Sequence, residues 1–323
     1  MTAAEPRKVL ITGAGGFIGR ALRKYFTERG VAHVAAVREL SPADAGAPEC
    51  IALGDLAAAD WDAPLSGIET IVHLAGRVHV LRERGADATP YIVANVHVTR
   101  RLLEAAARVG VKRVVLASTV KVYGETTRPR RPMRAGDPAR PRDAYAHSKA
   151  AAESVLWQIC HANGIEGVVL RLPLVYGPGV KGNFLILLEA IAAGRRLPLA
   201  GLANRRSLLY VGNAVSAIEA ALRTPALADE TLPVADAESV STPQLIQKIA
   251  RGLGVRARLY HVPAPLLRAG AALFGQRGAA ARLLDSLEVD ATRFGELAQW
   301  TPPATLDEGL AATVAWWRLR HAL

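Results

Sequence analysis

Residues 10–19 read Leu-Ile-Thr-Gly-Ala-Gly-Gly-Phe-Ile-Gly, a glycine-rich turn set between a short apolar run and a helical pattern close to the amino terminus. Gly13, Gly16 and Gly19 follow a Thr-Gly-x-x-Gly-x-x-Gly spacing. That spacing lets the backbone turn sharply, approach a pyrophosphate and pack the following helix tightly on its strand. The first-turn amides of the helix then face an anion. The flanks favour a nucleotide site over an ordinary strand-to-helix turn, because residues 8–11 read as a buried strand and residues 18–29 as its amphipathic helix.

Outward from this turn, strand-like runs at residues 8–12, 31–37, 50–53, 70–74, 113–118 and 167–172 alternate with helical patterns at 17–29, 91–109 and 144–163. This alternation predicts an α/β fold, a doubly wound parallel sheet of the Rossmann kind. Past Arg171 the rhythm loosens into segments punctuated by Gly and Pro, with helical patterns at 184–193, 213–222 and 306–320. The expected organisation is a nucleotide-binding domain over residues 1–172 and a smaller C-terminal α/β substrate lobe over 173–323. The two interleave, with segments near 207–235 returning to the main sheet.

A chain of 323 residues, 50% hydrophobic, is long enough to bury a large core. Its two cysteines, Cys50 and Cys160, offer no metal spacing and no disulfide framework, which fits a cytoplasmic setting. The first strand is read directly after Met-Thr-Ala-Ala-Glu-Pro, so no signal peptide is expected. The apolar stretch at 263–284 is broken by Arg268, Gln276, Arg277 and Arg282, so no membrane insertion is expected. A net charge of +11 and a cluster of Arg128, Arg130, Arg131, Arg134, Arg140 and Arg142 raise the question of nucleic acid. The cluster has no interleaved aromatics and is interrupted by prolines, the pattern of a solvated loop, so no nucleic-acid partner is expected.

The chemistry lies in Tyr145-Ala-His-Ser-Lys149, which puts a phenol and an ammonium four residues apart on one helix face. A tyrosine with an ordinary pKa near 10 becomes a base near neutrality only with roughly 4 kcal/mol of preferential phenolate stabilisation. A neighbouring lysine and an oxidised nicotinamide ring, both positive, would supply it. Upstream, Val114-Val-Leu-Ala-Ser-Thr119 ends in hydroxyls where a central strand reaches its carboxyl end, the ligand-binding edge of open α/β sheets.

Across almost its whole length the chain resembles the extended short-chain dehydrogenases/reductases, specifically the nucleotide-sugar epimerases, dehydratases and 4-keto reductases. The marks are the glycine turn, Gly54-Asp55-Leu56, His73-Leu-Ala-Gly76, Asn95, Ser118-Thr119 before Val122-Tyr123-Gly124, Tyr145 with Lys149, and Arg171-Leu-Pro-Leu-Val-Tyr-Gly-Pro178. The resemblance implies that Gly13, Gly16, Phe17, Ile18, Gly19, Leu56, Leu74, Ala75, Gly76, Ser118 and Pro173 line a cofactor, NAD or NADP, together with Tyr145 and Lys149. Asp55 would contact the adenine amino group. Thr119 would hydrogen-bond the reacting sugar hydroxyl, with Ser118 as the alternative, and Asn95 would support the active-site network while also serving as a helix N-cap. Asn183 and Arg206 would grip the nucleotide diphosphate. Arg77, His79, Lys121 and Lys181 fall near the same cleft.

Two departures bear on the reaction. Dehydratases of this kind carry an Asp-Glu pair after the threonine, whereas here those positions are Val120 and Lys121, which disfavours elimination. Epimerisation of a nucleotide sugar at C4 and NADPH-dependent reduction of a 4-keto-6-deoxy sugar both remain. Arg38 stands at the end of the second strand, where a carboxylate would bind a ribose 2′-hydroxyl; an arginine suits a 2′-phosphate or stacks on adenine. Leu174 replaces an asparagine common in relatives, removing one sugar or phosphate contact. The subgroup resembled is one of bacterial polysaccharide loci. The resemblance also implies a homodimer through helices containing residues 95–109 and 145–163, although their apolar faces would serve equally as internal core. A third reading, a nucleotide-sensing protein without catalysis, is disfavoured by the presence of both Tyr145 and Lys149.

Overall fold

Val9–Thr12 (β1) is buried along its whole length and feeds two separate cores: Val9 and Ile11 face one, Leu10 the other. A strand covered on both faces reads as a continuous apolar run, the signature of a parallel sheet flanked by helices. The computed structural model describes residues 8–41, 44, 50–78, 87–127, 131–273 and 283–321. The strands that follow are β2 (His33–Val37), β3 (Cys50–Ala52), β4 (Thr70–His73), β5 (Arg113–Thr119), β6 (Glu166–Leu172), β7 (Leu174–Tyr176), β8 (Arg206–Tyr210), β9 (Glu230–Pro233) and β10 (Ser239–Val240). Among the described residues they form a seven-stranded sheet in the order β3-β2-β1-β4-β5-β6-β9 and a three-stranded sheet in the order β10-β8-β7. Every pairing in the larger sheet is parallel. Its order turns round between β1 and β4, so a crevice opens at their carboxyl ends beside Gly13 and Leu74.

Helices α1 (Phe17–Glu28), α2 (Thr89–Tyr91), α3 (Val98–Val109), α4 (Ala144–Asn163), α5 (Gly182–Ala192), α6 (Val211–Arg223) and α7 (Thr242–Leu253) follow in chain order. α1 and α6 cover one face of the large sheet through Leu22, Phe26, Ala214 and Ile218. α3 and α4 cover the other through Leu102, Leu103, Leu156 and Ile159. A third core of Tyr176, Phe184, Leu188, Leu208, Ile246, Ile249 and Leu310 joins α5, α7 and the helix Leu306–His321 to the small sheet. Within the returning segment, β8 joins the small sheet, α6 packs on the large one, and β9 becomes its seventh strand.

The segment expected as one helix over 91–109 begins earlier and in a different geometry. One α turn, with Pro90 in its first positions, leads into a π-helix over Ile92–His97 and then into α3. Asn95 therefore sits inside this run, buried, and is not an N-cap; proline, lacking an N–H that a first turn leaves unpaired anyway, marks the true start. Sequence reading also left α7 unassigned among loop punctuation. Its opening is a capping box, in which Ser241 Oγ accepts from Gln244 N while Gln244 Oε1 accepts from Ser241 N. No helix among the described residues is long and apolar enough to cross a membrane. His79 and Arg128–Arg130 lie outside the described residues, as do Gln276, Arg277 and Arg282.

Candidate active site

The glycine turn is held to its geometry by close backbone approaches. Gly13 has a φ of +67°, and a Cβ there would lie 2.6 Å from Ala75 N. A Cβ on Gly19 would lie 2.3 Å from Gly13 O, so any side chain would push α1 off β1. Gly16 caps α1 from an extended conformation, and its N–H donates to Gly13 O at 2.9 Å. The first turn of α1 consequently opens on the crevice, the arrangement that suits a pyrophosphate.

Two connected cavities meet at this turn. The outer, about 1230 Å³, is walled by Gly13, Gly16, Arg38, Asp55, Leu56, Leu74, Ala75 and Gly76. The inner, about 500 Å³, shares Gly13, Gly16 and the segment Leu74, Ala75, Gly76, Arg77, then adds Phe17, Ile18, Gly19, Asn95, Ser118, Thr119, Tyr145, Lys149 and Pro173. All the residues expected to line a cofactor thus stand on these walls. Asn183 and Arg206 are on neither wall, and Arg206 Nη1 donates to Asp285 O at 2.9 Å. Lys181 lines the inner cavity, while Lys121 Nζ is bound to Asp143 Oδ2 at 2.5 Å. Asp55 uses Oδ1 to accept from Ala57 N at 3.0 Å, which fixes the turn at the rim of the outer cavity.

One strand end and one helix carry the polar wall. Thr119 ends β5, Asp143 caps α4 through a bond from Ala146 N at 2.7 Å, and Tyr145 and Lys149 follow one turn apart. Burial pushes the Tyr145 phenol up to about 12; the neighbouring Thr119 hydroxyl works against that by hydrogen bonding, and Asp143 and Tyr91 reinforce it. Burial brings the Lys149 ammonium down to about 8, opposed by the charge of Glu153. Ser118 does not compete with Thr119 for a substrate hydroxyl, because its Oγ donates to Glu153 Oε1.

Behind this wall runs a one-way hydrogen-bond chain. Ala75 N donates to Thr12 Oγ1 at 3.3 Å, and Thr12 Oγ1 lies 2.6 Å from His73 Nδ1. His73 Nε2 lies 2.9 Å from Thr99 Oγ1, which donates to Asn95 O at 2.6 Å. A hydroxyl has one proton to give, so His73 carries its proton on Nε2 and accepts at Nδ1. Full burial and then the Lys149 charge lower His73 to about 3, keeping it neutral. Asn95 in turn accepts from Arg77 N at 2.8 Å and donates to Arg77 O at 3.1 Å and Ser148 Oγ at 2.8 Å. Ser148 Oγ donates to Tyr145 O at 2.7 Å, so Asn95 ties the loop after β4 to the first turn of α4.

Sequence reading missed Glu153. It is one turn beyond Lys149 on α4, 4% exposed, and binds Arg171 through Nη2 at 2.6 Å and Nε at 3.1 Å. The i, i+4 spacing from Lys149 was the available signal; the contact with β6 was not.

A dinucleotide crevice with a tyrosine and lysine at the carboxyl edge of its sheet defines a nicotinamide-dependent enzyme of the short-chain dehydrogenase/reductase type. The chain belongs to the NAD dependent epimerase/dehydratase family, whose model matches residues 9–234. It is 34% identical over 312 residues to a UDP-glucose 4-epimerase of Vibrio cholerae, covering 95% of this chain and 94% of that one. It is 28% identical over 325 residues to an N-acetyl-alpha-D-glucosaminyl-diphospho-ditrans,octacis-undecaprenol 4-epimerase of Escherichia coli O157:H7, covering 95% and 94%. Among solved structures, MoeE5 in complex with UDP-glucose and NAD superposes with a TM-score of 0.78 at 28% identity, covering 97% of this chain and 99% of that one.

Proposed function

We propose that the chain is an NAD-dependent nucleotide-sugar 4-epimerase, acting on a UDP-hexose or UDP-N-acetylhexosamine. The observation that carries this reading is the convergence of Thr119, Tyr145 and Lys149 on the inner cavity, which opens through Gly13 and Gly16 onto the dinucleotide crevice. The residues present fit the cofactor: a side chain on Gly13 or Gly19 would collide with the neighbouring backbone and force open the turn that leaves the first turn of α1 facing the crevice, and Asp55, Leu56, Leu74 and Pro173 line the two cavities that would take its halves. When bound, NAD would supply the hydride acceptor for oxidation at sugar C4 and the hydride donor for its reversal. Tyr145 Oη takes the proton of the sugar 4-hydroxyl and gives it back, and Thr119 Oγ1 orients that hydroxyl. Lys149 holds the phenolate by its charge.

The absence of an acid pair supports epimerisation over dehydration: Val120 is buried in a small cluster with Tyr123, Met133 and Leu287, and the Lys121 ammonium is bound to Asp143. Arg38, exposed on the outer cavity, favours a second reading in which a 2′-phosphorylated cofactor delivers one hydride to a 4-keto-6-deoxy sugar. Incubation with UDP-hexoses and no added cofactor tests the choice. C4 interconversion upholds the epimerase; NADPH loss confined to a 4-keto substrate, without interconversion, overturns it. The product serves polysaccharide assembly in this reading, and the assembly is a homodimer through the outer faces of α3 and α4. Their leucines and Trp157 are spent on the internal core, leaving Val109, Ala150 and Ala151 for a partner. Sedimentation as a monomer at micromolar concentration would refute the dimer.

A further inference from the structure

We propose that Glu153 is a positioning residue that keeps Lys149 protonated, and that Ser118 and Arg171 hold its carboxylate in place for that task. The inference rests on the reading of Lys149 as the cationic partner of Tyr145. Glu153 gathers three elements at one point: its own helix α4, the end of β5 through Ser118 Oγ, and the end of β6 through Arg171. Tyr123 closes the far side, its ring 4.2 Å beneath the Arg171 guanidinium. A carboxylate 4% exposed and tied by three hydrogen bonds cannot swing away, so its charge has a fixed place relative to Lys149.

The groups facing Lys149 make that charge decisive. From β4 comes His73, held neutral by its burial and then by the Lys149 charge. From β5 come Ser118 and Thr119, both uncharged, and from α4 itself the neutral Tyr145. From β6 comes Arg171, a cation on the far side of Glu153. Burial alone drives an ammonium toward its neutral form. Glu153 is the anion in this set, and its charge raises Lys149 against that pull. A neutral lysine would leave Tyr145 without the cation one turn along its own helix; Arg77 and Lys181 are the other cations on the same cavity wall.

Titration of the protein with lysine labelled at ¹³Cε measures this directly, the Lys149 signal being the one absent from Lys149→Met. Glu153→Gln lowers the Lys149 midpoint by about one pH unit, a tenfold change in its acidity constant, whereas Glu153→Asp, which keeps the charge, stays within about 0.3. Glu153→Gln leaves Arg171 buried without a carboxylate, so the double variant E153Q/R171M provides a core free of buried charge. It too lowers the midpoint. An unmoved midpoint in these charge-removing variants, or a fall in Glu153→Asp as large as in Glu153→Gln, overturns the proposal. In turnover the alkaline limb of kcat moves with the midpoint while KM stays within about twofold. A displaced midpoint with an unmoved kcat limb upholds the charge assignment and refutes instead the reading of Lys149 as the partner of Tyr145.

Discussion

A buried phenol with a pKa near 12 is a much weaker candidate base than its sequence position implies. Bringing Tyr145 to about 7 takes roughly 7 kcal/mol of preferential phenolate stabilisation rather than the 4 that an ordinary tyrosine needs. Two cations, Lys149 and the positive ring of a bound cofactor, would match that demand if each were held near 4 Å, where a charge is worth about 4 kcal/mol at an effective dielectric of 20; the Thr119 hydrogen bond is already part of the value near 12. Thr119→Val should therefore lower turnover by about 10- to 100-fold and move the acid limb of the rate profile to higher pH. Unchanged turnover would remove Thr119 from the site. Gly19→Ala should abolish retention of the dinucleotide, measured by absorbance of the purified protein at 260 nm, because its Cβ meets Gly13 O at 2.3 Å. Tyr145, Lys149 and these glycines were legible because their spacing alone implies a shared face or a tight turn. Glu153 and the commitment of Ser118 to it were not, since both depend on which strand ends lie beside α4.

The π-helix is the element that sets the back wall. Its extra residue per turn stands at the point where Asn95 reaches both the Arg77 backbone and Ser148. Asn95→Ala leaves those groups without their partner. It should cost on the order of 2–3 kcal/mol in urea unfolding and loosen the loop that carries Gly76. Asparagine preference alone suggested a cap here, and Pro90 was the better marker. α7 was hidden for the converse reason, because Ser241, Pro243 and Gln244 look like loop composition until their reciprocal bonds are seen. Ser241→Ala should cost about 1 kcal/mol by the same measurement, with turnover unaffected.

For the whole molecule, the alternation that predicted the doubly wound sheet extends through β6, where each strand is long enough or apolar enough to declare itself. The small sheet is built from strands of three, five and two residues, too short for periodicity to reveal, so the surroundings of Asn183 and Arg206 stayed unread. The sheet also carries a pH signature through His73. Its midpoint near 3 lies below the usual 6.5, so the unfolded chain binds a proton that the folded chain refuses. Stability held above pH 6.5 is lost as pH falls toward 3. His73→Gln removes this term, so its stability deficit against the parent should shrink by about 3 kcal/mol between pH 7 and pH 4. A deficit that stays constant would mean His73 is protonated in the folded protein.

Hydride transfer out and back at one carbon, with Tyr145 moving the proton, is the claim on which the rest depends. Its most direct test incubates the purified protein, with no cofactor added, with UDP-glucose and UDP-N-acetylglucosamine deuterated at C4, followed by proton NMR. The predicted result is a mixture of C4 epimers that keeps the deuterium at C4, and no such mixture from Tyr145→Phe. Loss of the deuterium to solvent, or an epimer mixture formed equally fast by Tyr145→Phe, would contradict it.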